Sequence, residues 1–200
     1  EDDFSGLRPY VVGDDLRRIH WATSAHTDEL VVRQDDPPWQ GHLTVLIDGR
    51  DFRIDADAFE VAVSAAASLL HAAADRGDRT RLVISDGTDS GLVDARSAHD
   101  TLLEHLAVVE RHPAGILAEP PADRRARSGG LVAVMGTIGE REAALLAAQR
   151  TRFASVVVVL IGGAAATPLA RGVVLVSVPT GASFAEAWSR RGNRPAGARS

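Results

Sequence analysis

The residues best suited to chemistry cluster near the front of the chain. Arg17 and Arg18 are adjacent guanidinium donors that can grip a carboxylate or phosphate bidentately. Asp14 precedes them, His20 and Trp21 follow, and Arg8 and Tyr10 stand a few positions upstream. A carboxylate, an imidazole and an arginine around a bound anion are the ingredients of a hydrolase. The same residues also suit a clasp, in which Asp14 or Asp15 caps a short helix from Leu16 to Trp21, Asp14 pairs with an arginine, and Tyr10 and Trp21 pack on a domain. The binding set read from this stretch is Arg8, Tyr10, Asp14, Arg17, Arg18, His20 and Trp21, and no residue is assigned as catalytic. Whether that set faces inward or outward separates a clasp from a docking surface.

Other candidates are less specific. Asp86-Gly87 and Asp89-Ser90-Gly91 share residue types with protease loops, but an aspartic dyad needs two such loops and a serine triad needs a placed base. They read as turn residues. Gly136-Thr-Ile-Gly139 follows a strand and opens a helix, where free amides could hold a phosphate. It lacks the third glycine of a dinucleotide fingerprint and the Gly-Lys-Ser/Thr of a phosphate loop, and a capping box of Thr137 with Glu140 explains the same residues. His99, His105 and His112 are spaced by seven and by seven minus one positions, not by the three or four that put two ligands on one helical face, so the histidines read as surface or satisfied groups.

Positioning such residues falls to an alternation of short β-branched runs and alanine-rich helical stretches. Strands are expected over 43–48, 81–85, 90–94, 131–135, 155–161 and 173–178, and helices over 59–76, 98–109, 140–150 and 184–191. The first helix buries Phe59, Val63, Ala66, Leu70 and Ala73 on one face, starts at Asp57 with Glu60, and stops at Gly77; the last starts at a Ser183–Glu186 capping box. Helices of this length between strands imply crossovers and a mostly parallel sheet covered on both faces. Asp35-Asp-Pro-Pro-Trp39 breaks the chain ahead of this alternation. Residues 1–40 therefore form one segment, 41–191 the α/β domain, and 192–200 a Gly/Pro/Arg-rich tail expected to be disordered.

Composition narrows the function classes. With 22 Lys+Arg against 27 Asp+Glu the formal charge is −5, and the arginines are scattered, which disfavours nucleic acid as the main ligand. The chain has no cysteine, which excludes disulfides, zinc-thiolate sites, iron–sulfur clusters and thiol nucleophiles and suits a reducing compartment. No apolar run approaches the roughly 20 residues of a membrane helix, so no membrane contact is expected from this stretch itself. The chain begins at Glu1 without Met or a signal peptide, as a fragment would.

The front stretch resembles the signature of domain-of-unknown-function family 58. The positions that carry the likeness are Arg8-Pro-Tyr10, Gly13-Asp14, Arg17 or Arg18 with Ile19-His-Trp21, and Ser24-Ala25-His26, where the family carries arginine at the last. The likeness is close over the first 35 residues and looser to about Leu106. It implies a von Willebrand factor A-like, doubly wound α/β domain behind an irregular signature segment. It also implies membrane anchoring by preceding helices, with this part in the cytoplasm, and a bacterial MoxR-type AAA ATPase encoded alongside as partner.

The same resemblance implies where a divalent metal would sit: Asp-x-Ser-x-Ser after the first strand of the domain, a distant Thr, and an Asp after the fourth strand. Hard cations need several converging oxygens. Here the first loop reads Asp48-Gly-Arg-Asp-Phe52, with Arg50 and Phe52 in place of both hydroxyls, and the fourth strand ends in Met135-Gly136 without a carboxylate. A degenerate metal site around Asp48 and no cofactor are expected, with Asp48 capping its own turn. The sequence reading is thus a non-enzymatic interaction or adaptor module; its competitor is a hydrolase or anion-binding enzyme built on Asp14, His20 and an arginine of the front stretch.

Overall fold

The computed structural model describes residues 7–9, 31–33, 42–113, 115, 117, 119–120, 129–179 and 181–192. The chain divides into two units, Glu1–Pro38 with Arg194–Ser200, and Trp39–Asn193. In the first, β1 (Leu7–Pro9) pairs antiparallel with β2 (Val31–Arg33), with Arg8 opposite Val32. The Asp35–Trp39 break, the end of the tail and most of the front stretch lie outside the described residues.

The second unit is built on six strands. These are β3 (His42–Ile47), β4 (Arg79–Ile84), β5 (Val93–Asp94), β6 (Gly130–Met135), β7 (Ser155–Ile161) and β8 (Val173–Val178). They lie in the order β5-β4-β3-β6-β7-β8, and all neighbours are parallel except the edge pair β4 and β5. Four helices accompany them: α1 (Ala56–Arg76), α2 (His99–Ala107), α3 (Glu140–Gln149) and α4 (Phe184–Gly192). This is a mixed α/β, doubly wound sheet.

The near-continuous apolar strands follow from burial on both faces. Leu43, Val45 and Ile47 of β3 join one buried cluster with α1, Leu102 and Leu106 of α2, and Ala187 of α4. Leu46 of the same strand faces a second cluster, formed with Leu131, Ala133 and Met135 of β6 and with Ala143 and Leu146 of α3. A β-strand sends successive side chains to opposite faces, so a single run of large aliphatic residues serves both cores. Each fully buried Leu or Ile contributes about 1.5–3 kcal/mol of transfer free energy.

Helix α1 begins three residues before the expected Phe59. Asp55, not Asp57, is its N-cap: the extended Asp55 backbone lets its carboxylate accept the Ala58 N–H at 2.8 Å. Its buried stripe is wider than expected, adding Ala58, Ala62, Ala65, Leu69 and Ala74, while Val63 is only half-buried. The extra alanines let the helix lie close on the sheet. Gly77 stops it at φ 72°, with Gly77 N–H donating to Ala74 O and Asp78 N–H to Ala73 O, the bond pair of a Schellman motif.

The order of strands sets the functional geography. Connections leave β3 in opposite directions, to β4 on one side and later to β6 on the other, so a topological switch point lies between the carboxyl ends of β3 and β6. Open α/β sheets bind ligands in the crevice at that position.

Candidate functional site

The loop leaving β3 at the switch point carries a buried ion cluster. Asp48 is fully buried, and the guanidinium of Arg50 lies against it side-on: Nε donates to Oδ1 at 2.8 Å and Nη2 to Oδ2 at 2.7 Å. The Arg50 backbone N–H also donates to Asp48 Oδ1, at 3.2 Å, so Asp48 closes its own turn as expected and holds a cation as well. Arg50, only 1% exposed, reaches a second carboxylate, with Nη2 3.0 Å from Glu142 Oε1. Glu142 in turn meets Arg53, whose Nη2 is 3.2 Å from Oε2. Two carboxylates and two guanidinium groups thus balance in charge at one point.

The site's second carboxylate is where the sequence reading did not look. Strand β6 ends without an acid, but Glu142 in the first turn of α3 folds back to the switch point. The cap of α3 is Gly139, not Thr137: Gly139 N–H donates to Glu142 Oε2 at 3.0 Å, and since glycine has no side chain only this half of a capping box exists. The signal that could have found it is the acid three residues into a helix that follows a switch-point strand.

Electrostatics fix the protonation of this cluster. Burial works against the charge on Arg50, yet hydrogen bonds and attraction from Asp48 and Glu142 outweigh it and raise its pKa above the ordinary arginine value. Burial likewise pushes Glu142 up, but backbone N–H donors and the Arg50 guanidinium more than compensate, leaving its carboxyl below the usual range. Both groups are charged at neutral pH.

Around the cluster three loops meet backbone to backbone. A Cβ on Gly136 would lie 2.3 Å from Arg53 O, and one on Gly163 would lie 2.0 Å from Gly136 O, so the loops after β3, β6 and β7 can close only with glycine at both positions. They enclose an open groove of about 330 Å³, lined by Phe52, Arg53, Arg111, Thr137, Gly162 and Gly163 among others. Phe52 stands at its rim, 54% exposed, with the Arg50 and Arg53 guanidinium carbons 5.3 and 5.2 Å from its ring centre.

The Gly136–Gly139 turn does not offer a phosphate cradle. Thr137 N–H donates to Arg53 O, Ile138 N–H to Ala164 O and Gly139 N–H to Glu142. Beside β4, Ser85 accepts the Gly49 N–H at 2.8 Å and its hydroxyl lies 2.7 Å from His112 Nε2. No spacing rule points to this serine–histidine pair, whose members are 27 positions apart. With Ser85 buried, it ties the β3 loop to the isolated bridge between Arg50 and His112, where the Asp51 and His112 amides also bond across. Asp86 acts as a turn residue, accepting the Thr88 N–H, whereas Ser90 pairs back onto strand β4, its Oγ accepting the Leu82 N–H and its own N–H donating to Leu82 O.

Of the binding set read from the front stretch, only the backbone of Arg8 is described, in β1. Tyr10, Asp14, Arg17, Arg18, His20 and Trp21 lie outside the described residues. Among the described residues no group of three or more His, Cys, Asp or Glu is arranged to hold a metal ion. Among them, too, no helix is long and apolar enough to cross a membrane.

A family profile described as "Protein of unknown function DUF58" matches residues 6–169, and the chain belongs to that family. The uncharacterized protein YeaD of Bacillus subtilis (strain 168) is 30% identical over 107 residues, which make up 52% of this chain. The matched region spans 26% of YeaD, about a quarter of that relative's length.

Proposed function

We propose that this DUF58 chain carries a non-enzymatic protein-interaction module, von Willebrand factor A-like, in which an internal arginine replaces the divalent cation. The observation that carries this reading is that both oxygens of Asp48 are engaged by Arg50, whose guanidinium also spans to Glu142. A cation thus already sits between two carboxylates at the switch point, held by covalent attachment to the chain. A buried ion cluster rarely stabilises a fold more than apolar side chains of the same volume would. Its location at the ligand-binding crevice of the fold favours a role in shaping the docking surface above it.

That surface is the rim and groove formed by Phe52, Arg53 and Arg111. An exposed phenylalanine flanked by arginines has the composition of an interface anchor. The partner proposed is a MoxR-type AAA ATPase, in a cytoplasmic part of a membrane-anchored bacterial protein; both rest on the family resemblance. As an adaptor, the module would present or hold the ATPase without turning over a substrate.

The experiment is a titration of the chain against the MoxR-type ATPase of its own host, with and without EDTA. The reading expects binding that is insensitive to EDTA and falls at least tenfold in Phe52→Ala. Because Phe52 is exposed, that substitution should leave the melting temperature within about 2 °C. Binding abolished by EDTA would refute the internal cation. Binding unchanged in both Phe52→Ala and Arg111→Glu would refute the docking surface.

A further inference from the structure

The geometry points to a second site, a two-histidine transition-metal site that bridges α1 and α2. His71 on α1 and His99 at the start of α2 are 28 positions apart in sequence, yet His71 Nδ1 lies 3.3 Å from His99 Nε2. Two nitrogens bound to one tetrahedral zinc at 2.0–2.1 Å are themselves about 3.3 Å apart. The pair therefore already has the separation that a metal ion would impose. A metal cation would sit between the two nitrogens that now face each other directly.

The far side of the His99 ring supports the same assignment. His71 Nε2 faces Asp75 Oδ2 at 3.7 Å, and His99 Nδ1 faces Asp100 Oδ1 at 3.3 Å. A metal-bound imidazole characteristically directs its other nitrogen to a carboxylate, which fixes the ring and raises its basicity. His99 has that arrangement with Asp100, whereas Asp75 stands beyond hydrogen-bond distance of His71.

The platform beneath is fixed. Leu102 and Leu106 bury α2 against the core shared with α1. Arg96, just ahead of α2, donates from Nε to Ala74 O and from Nη2 to Asp75 O, both at 2.9 Å, pinning the loop to the last turn of α1. The rings are tilted by 56°, and His71 is 66% exposed, which leaves room for its ring to turn toward a shared ion. The chemical class follows from the donors: imidazole nitrogens suit Zn²⁺, Ni²⁺ or Cu²⁺ and not Mg²⁺ or Ca²⁺. With two protein ligands, water completes the coordination, and the bound ion ties α2 to α1. This site is separate from the groove: α1 starts at the switch point, and His71 lies 16 residues beyond Asp55, about 24 Å along the helix.

The test is calorimetric titration of the whole chain with ZnCl₂ and with NiCl₂, comparing the parent with His71→Ala, His99→Ala and Asp100→Asn. One ion per chain should be lost or weakened at least tenfold in each histidine variant, and weakened about tenfold in Asp100→Asn. Far-UV circular dichroism checks that each variant keeps its fold. In the Cu²⁺-loaded parent, electron paramagnetic resonance should show coupling to two nitrogens, reduced to one in either histidine variant. No binding of zinc or nickel at millimolar concentration, or binding unchanged in both histidine variants, overturns the site.

Discussion

Replacing Arg50 by alanine puts the internal-cation argument at greatest risk. The substitution leaves Asp48 and Glu142 buried, at 0% and 4% exposure, without the guanidinium that lies 2.7 and 3.0 Å from them. Removing one partner of a buried ion pair costs about 3–5 kcal/mol, because the remaining charge keeps its desolvation penalty and loses its compensation. In a domain of this size each kcal/mol moves the melting temperature by about 2–4 °C, so a fall of roughly 6–20 °C is expected at pH 7.5. Urea denaturation followed by far-UV circular dichroism gives the free energy directly. Two further arms identify its origin. Acidification toward pH 5 should narrow the gap between parent and variant, since carboxyls lacking a counter-charge take up protons more readily in the folded variant. Added Mg²⁺ should stabilise the variant and leave the parent unmoved, because the variant exposes two carboxylates to a vacated volume. A loss below about 1 kcal/mol would refute the reasoning, since truncating an interior side chain of this size would then cost no more than an average surface change. A loss of the expected size that is independent of pH and magnesium would assign the effect to packing and refute the charge argument.

The remaining predictions concern the same cluster and its walls. Glu142 has its folded pKa held below the ordinary 4.5, so it contributes stability above that pH and loses it as pH falls through the lower folded value; Glu142→Gln should flatten the pH dependence of urea stability in the acid range below about 4.5, and an unchanged profile would contradict the Arg50–Glu142 pairing. Gly163→Ala places a Cβ 2.0 Å from Gly136 O, a backbone contact that cannot swing aside; a loss of about 1–3 kcal/mol in a thermal melt is expected, and a neutral result would mean the loops separate at little cost.

How far the sequence disclosed all this depends on whether a feature is periodic or arises from folding. Strands β7 and β8 are read at their true limits, because Val156–Ile161 and Val173–Val178 are β-branched runs with clear flanks. The stop of α1 at Gly77 is equally legible, since a left-handed backbone there calls for glycine. Its start is not: Asp55 and Asp57 are both good caps, and only the path of the chain out of the Arg50 turn selects Asp55. The switch-point cluster was half legible. Asp48 and Arg50 are two positions apart, and their types alone announced a carboxylate beside a cation, whereas Glu142 is 89 positions from Arg53 and its role depends on where α3 begins. The His71–His99 pair was invisible for the same reason: helix-face spacing finds ligands on one helix and is blind to two helices packed side by side. What joins these cases is charge placed by topology. The doubly wound order brings the β3 loop and the start of α3 to one crevice, and an arginine there holds two carboxylates together whether or not an ion arrives. On the proposed reading, a divalent ion in such a crevice would make docking depend on its concentration, and a guanidinium covalently part of the chain would remove that dependence. That reading puts any regulation of docking at the groove's rim, where Phe52 is exposed.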